Sequence, residues 1–116
     1  MFDAADVVIV GKPNSTVDTD EKRELSGVQT IGQSSEISVR LVMKGPKDLK
    51  KITLHHYREP GPPLALFGDN LLRFDPKKYE RYLLFLKLES DGRYAPVTGQ
   101  TYALRGSVLK LEGTAD

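Results

Sequence analysis

The sequence predicts an all-β fold, a five-stranded antiparallel barrel with only short helical turns, and three observations carry that expectation. Tyr82, Leu83, Leu84, Phe85 and Leu86 form a continuous apolar run, too short for a typical core helix. Glu36 to Lys44 alternates, with Ile37, Val39, Leu41 and Met43 on one face and Ser38, Arg40, Val42 and Lys44 on the other. Asp91-Gly92, directly after the apolar run, is a favoured hairpin turn pair because glycine accepts a positive φ without steric cost.

Tyr79 to Thr98 therefore reads as a hairpin whose first strand is central and covered on both faces, with the remaining strands wrapped around it. In chain order, Ala5 to Lys12 is a β-branched run and the first strand. Residues 14–36 are polar, with a charged cluster at Asp18, Asp20, Glu21, Lys22, Arg23 and Glu24, and read as a flexible, solvated connection with strand extensions possible through Val28 and Ile31. The alternating strand at Glu36 to Lys44 ends in a Gly45-Pro46 turn. Asp48 to Tyr57 is its antiparallel partner, placing Ile52 and Leu54 inward and Lys51, Thr53, His55 and Tyr57 outward. Glu59-Pro60-Gly61-Pro62-Pro63 is a rigid loop, since proline lacks the donor an interior strand needs. Asp75-Pro76-Lys77-Lys78 is a short helical turn, with aspartate capping and proline at the first helical position. Tyr102 to Leu111 is the last strand, and residues 112–116 are a frayed tail.

Composition bounds the function. A chain of 116 residues is expected to form one domain, residues 1–116. Its formal net charge of +1 supplies no global field for sequence-independent nucleic-acid binding. There is no cysteine, which excludes disulfides, thiolate metal sites and thiol nucleophiles. No apolar run has the length of a membrane span, and the opening residues lack the basic and apolar regions of a signal peptide. Gly11-Lys12 is not a phosphate loop, because Asp6 and Pro13 stand where that motif needs glycine and a hydroxyl residue. His55 and His56 are adjacent on a strand and point to opposite faces, so they cannot share a metal ion. No nucleophile elbow, zinc-binding helix or cofactor signature is present, and a non-enzyme without metal or cofactor is the expectation.

Three segments carry a family resemblance: Ala5-Asp6-Val7-Val8-Ile9, Val39 to Pro46, and Tyr82-Leu83 continuing to Asp91-Gly92. Taken in order, they resemble the first, second and fourth strands of the tissue inhibitors of metalloproteinases, and more broadly the netrin-like module. The resemblance runs from about Asp3 to Leu111 and implies a five-stranded antiparallel OB-type β-barrel acting as a secreted or cell-envelope binding module. In those inhibitors an N-terminal cysteine chelates the zinc of the target protease. The present chain has no cysteine, so no inhibitory residue is carried over.

The expected function is therefore non-catalytic protein binding through loops at the ends of the barrel. The loops expected to do so are Pro60 to Phe67, with Leu64, Leu66 and Phe67 as candidate anchors against the alternative that they plug one barrel end, and the charged Asp18 to Glu24 segment. OB-type oligonucleotide or oligosaccharide binding is the second reading, using Arg40, Lys44, Lys51, His55 and Tyr57 on the strand faces. The balanced charge favours ordinary solvated faces over that reading, so no nucleic-acid partner is expected. A protease inhibitor working by another route is a third. The sequence leaves the oligomeric state open.

Overall fold

The structure is a computed structural model that describes residues 2–25, 27–60, 74, 80–99 and 106–111. It contains strands β1 (Val7–Leu25), β2 (Val28–Lys44), β3 (Lys51–Arg58), β4 (Arg81–Leu88), β5 (Tyr94–Pro96) and β6 (Val108–Leu111), with no α-helix among the described residues. Five strands close a ring in the order β1-β2-β3-β5-β4, with β4 pairing back onto β1. The fold is all-β and barrel-like. The helical turn expected at Asp75 to Lys78, the tail at residues 112–116 and residues 102–105 of the expected last strand lie outside the described residues, while Gly106 and Ser107 are not strand and β6 begins only at Val108.

One pairing departs from the antiparallel expectation: β3 and β5 run parallel, with Leu54 opposite Tyr94. The reason is topological. Strand direction must alternate at every antiparallel step, and an odd number of strands cannot alternate all the way around a closed ring. β6 is a sixth strand outside the ring. It continues along the edge of β4 that β5 occupies, with Leu84 opposite Val108 and Leu86 opposite Pro96, while β1 takes the other edge.

The core fills the ring. Val7, Ile9, Ile37, Ile52, Leu54, Tyr82, Leu84, Leu86 and Val108 form one buried cluster, with Phe74 packed against it. β4 is central because both its edges are paired, but only one of its faces is fully covered: Leu83 and Phe85, on the other, are half-buried. The β4–β5 turn is as expected, with Gly92 at φ 90° and the Gly92 amide donating to the Glu89 carbonyl at 3.0 Å.

The largest correction concerns residues 14–36, which are not a flexible connection. β1 and β2 continue through them as a long antiparallel ribbon that turns at Gly27, whose φ is 81°. Both faces of this ribbon are polar, so it lacks the apolar alternation that marks a half-buried strand. Side-chain pairs across it supply cohesion instead: Asn14 to Ser38 at 2.5 Å, Thr16 with Ser35 at 2.6 Å, and Gln33 to Asp18 at 3.1 Å.

A second correction concerns β2. Ile37 is buried as expected, but Leu41 and Met43 point outward and Val42 packs against the core. The pairing explains the reversal. Gly11 is opposite Val39 and Val10 is opposite Leu41, leaving Arg40 as an extra residue that switches the strand's faces.

Candidate functional site

Two features of the described surface stand out, an ionic clasp over β3 and an apolar row across the outside of the ring. The clasp begins with a bulge in β1. Asp18 is opposite Gln33 and Lys22 opposite Ile31, so Thr19, Asp20 and Glu21 together face only Gly32. A Cβ at Gly32 would lie 2.5 Å from Thr19 Oγ1 and 2.9 Å from Glu21 Cβ, so the missing side chain there makes room for the bulge. The bulge aims Glu21 across the ribbon at the β4–β5 turn.

There Arg93 grips Glu21 with two hydrogen bonds, Nη1 to Oε1 at 2.6 Å and Nη2 to Oε2 at 2.7 Å, and its Nε donates to Asp91 at 2.8 Å. His55, on β3, is held between two carboxylates. Its Nδ1 is 2.9 Å from Glu89 Oε1 and its Nε2 is 3.4 Å from Glu21 Oε1, while the Tyr57 ring lies 4.9 Å away, centroid to centroid. A second tie sits beside the clasp, where Arg58 donates to both oxygens of Asp18 at 3.0 and 2.9 Å.

His55 and Tyr57 face outward as expected, but these contacts overturn their solvated placement. Both sit on the outer face of β3, but the ribbon and the turn cover them and leave Tyr57 only 6% exposed. Burial, with Glu21 second, pushes the Tyr57 hydroxyl pKa upward. A histidine between carboxylates could act as a general base elsewhere. Here its side chain is enclosed by the same groups that hold it, and the arrangement fastens the ribbon to the ring.

His56 points inward, as adjacency predicted. Its Nε2 and the Ser35 hydroxyl are 2.7 Å apart, and Phe74 lies edge-on to its ring at 5.6 Å. A serine beside a histidine at that distance is the geometry of an activated nucleophile. Both residues are fully buried, however, and Thr16 bonds the same serine hydroxyl, so the geometry makes a core network. No group of three or more His, Cys, Asp or Glu among the described residues could hold a metal ion.

Acid should loosen the clasp. Arg93, assisted by Thr19, holds the Glu21 carboxyl down at about 2, and hydrogen bonds from Arg58 and then Gln33 hold Asp18 at about 2. Both folded-state values lie below the ordinary ones, so this stabilisation is complete above about pH 4.5 and is lost as pH falls toward 2. Both carboxylates are partly exposed, and each pair is worth only about 0.2–1 kcal/mol. The thermal midpoint of the wild type should therefore fall modestly between pH 5 and pH 2. An Asp18→Asn/Glu21→Gln variant should start lower and respond less; equal slopes in the two proteins would refute the assignment.

The second feature follows from strand register. Leu41 on β2 is opposite Val10 on β1, Val10 is opposite Leu83 on β4, and Leu83 is opposite Leu109 on β6. Directly opposed residues share a face, so these four make one apolar row across the outside of the wall. The row is half-buried in the middle and open at its ends, where Leu41 is 56% and Leu109 is 40% exposed. At the Leu41 end it meets a shallow groove of about 250 Å³ between the end of β2 and the β2–β3 turn, lined in part by Arg40, Lys47, Leu49 and Lys50.

Of the residues singled out from sequence, Arg40 is exposed and lines this groove, whereas Tyr57 is buried beneath the clasp. Tyr57 is opposite Gly32 on β2, so the two lie roughly 25 Å apart at the ~3.3 Å rise of a strand residue and do not form one surface. Leu64, Leu66 and Phe67 lie outside the described residues. Sequence reasoning missed Glu89 and Arg93, took Glu21 only as one charge of a solvated segment, and assigned Leu41 to the core. Glu21 and Arg93 are 72 positions apart, and no local pattern announces their meeting. No protein-family model matches the sequence, and no curated protein matches it.

Proposed function

We propose that this chain is a non-catalytic protein-binding module on an OB-type, netrin-like barrel, acting in a secreted or cell-envelope setting. The single observation that carries the reading is the outward apolar row from Leu41 through Val10 and Leu83 to Leu109. An apolar face that spans four strands and stays open at both ends is disfavoured in water unless a partner covers it. Supporting it, the ionic groups of the clasp pair with one another and so are engaged within the fold. Oligonucleotide binding draws less support, because Tyr57 is enclosed and cannot serve as a stacking platform.

The test is selection of binders from a displayed random-peptide library on the purified protein, followed by affinity measurement on a Leu41→Glu/Leu109→Glu variant. Both positions are exposed, so circular dichroism should show the fold retained. Binding weaker by about tenfold or more, equivalent to about 1.4 kcal/mol, supports the row as the interface. Failure to enrich any binder, or equal affinity for the variant, rejects the reading.

A further inference from the structure

We infer that the groove at the Leu41 end of the row receives an extended acidic segment of a partner protein, with apolar side chains alternating with Asp or Glu. This rests on the protein-binding reading and names the chemistry of the partner. Among the described residues, the cations Arg40, Lys47 and Lys50 line the groove together with apolar Leu41, Val42 and Leu49, and none of these lining residues is acidic. Asp48, in the same turn, is not among them.

The turn fixes this arrangement. Leu49 N donates to the Pro46 carbonyl at 3.2 Å, closing the turn, and Val39 N donates to the Lys50 carbonyl at 2.8 Å, holding Lys50 against β2. Lys47 Nζ donates to the Val42 carbonyl at 3.2 Å, which keeps its ammonium at the groove wall. The Arg40 bulge turns Leu41 outward, beside these cations.

Size and charge select the occupant. A volume of about 250 Å³ is below the ~300–1,000 Å³ of ordinary small-molecule sites, yet it accommodates one or two side chains of a longer ligand. An extended segment presents alternate side chains to one surface, so apolar residues could enter the groove while carboxylates meet its basic rim. A second copy related by a two-fold axis would set lysines against lysines. Single-stranded nucleic acid calls for an aromatic platform, and among the described residues no aromatic side chain lines the groove.

The probe is a fluorescein-labelled ten-residue peptide with leucine at alternate positions and Asp or Glu between, compared with one carrying Lys for the acids and one carrying Ser for the leucines. Fluorescence anisotropy at about 0.15 M salt should show the acidic peptide binding about tenfold or more tighter than either control. In a Lys47→Glu/Lys50→Glu variant, both positions being exposed, that preference should invert toward the Lys peptide. Absence of preference or of inversion overturns the inference. So does tighter binding of a ten-nucleotide oligo-dT, or self-association in sedimentation that the variant abolishes. These failures leave intact any selected binder that still depends on Leu41 and Leu109, so loss of the acidic-segment assignment is distinguishable from loss of the protein-binding reading.

Discussion

Gly11→Val is expected to lower the unfolding free energy by about 3 kcal/mol, the upper end of the range for overpacking a filled interior. Gly11 lies where the three strands β2, β1 and β4 meet, opposite both Val39 and Tyr82. A Cβ there would sit 2.5 Å from Ile37 Cγ2, 3.2 Å from the Ser38 carbonyl oxygen and 3.5 Å from Leu84 Cδ1. The backbone oxygen belongs to the β2 ladder and cannot retreat cheaply. Urea unfolding should show a lower midpoint with an unchanged slope. If the clash is the cause, Gly11→Ala and Ile37→Ala together should cost less than the sum of the two alone, because the second removes the methyl that the first encounters. Additive costs, or a Gly11→Val variant as stable as the wild type, would contradict this account.

Leu84→Ala should cost about 3–4 kcal/mol, within the range for large-to-small changes in a core that collapses poorly around the void. Leu84 is fully buried and sits in the middle of β4, opposite Ile9 on one side and Val108 on the other. Paired strands on both edges limit how far the wall can move in. Leu83→Ala, one residue away but facing outward and half-buried, should cost clearly less. Comparing the two midpoints tests which face of β4 looks into the ring, and a Leu83 cost equal to or above that of Leu84 would reverse it.

The readable parts of the sequence were those with local causes. Asp91-Gly92 specified the β4–β5 turn through the positive φ that glycine accepts, and Gly45-Pro46 likewise marked the end of β2, with Gly45 at φ 113°. Tyr82 to Leu86 located the central strand because its apolar residues line the core on one side and a half-covered wall on the other. The candidate surface was legible only in pieces. Arg40 was picked out for its charge, but its larger consequence is the bulge it occupies, which no reading of β2 by itself contains.

By itself, then, the sequence determined the all-β class, the turns at Gly45-Pro46 and Asp91-Gly92 and the identity of the core strands, because turn chemistry and apolar patterning act over a few residues. Tertiary structure decided the rest. The polar ribbon at residues 14–36 became strand because each half supplies the hydrogen-bond partners of the other. The faces of β2 reversed because register with β1 placed an extra residue at Arg40, and that reversal created the row through Leu41. The parallel β3–β5 pairing follows from closing five strands into a ring. Glu21, His55, Glu89 and Arg93 became a clasp because the closed wall, with one bulge over Gly32, brought distant charges within hydrogen-bond and ion-pair reach. Each depends on which strand lies beside which, and that is decided where chain segments meet.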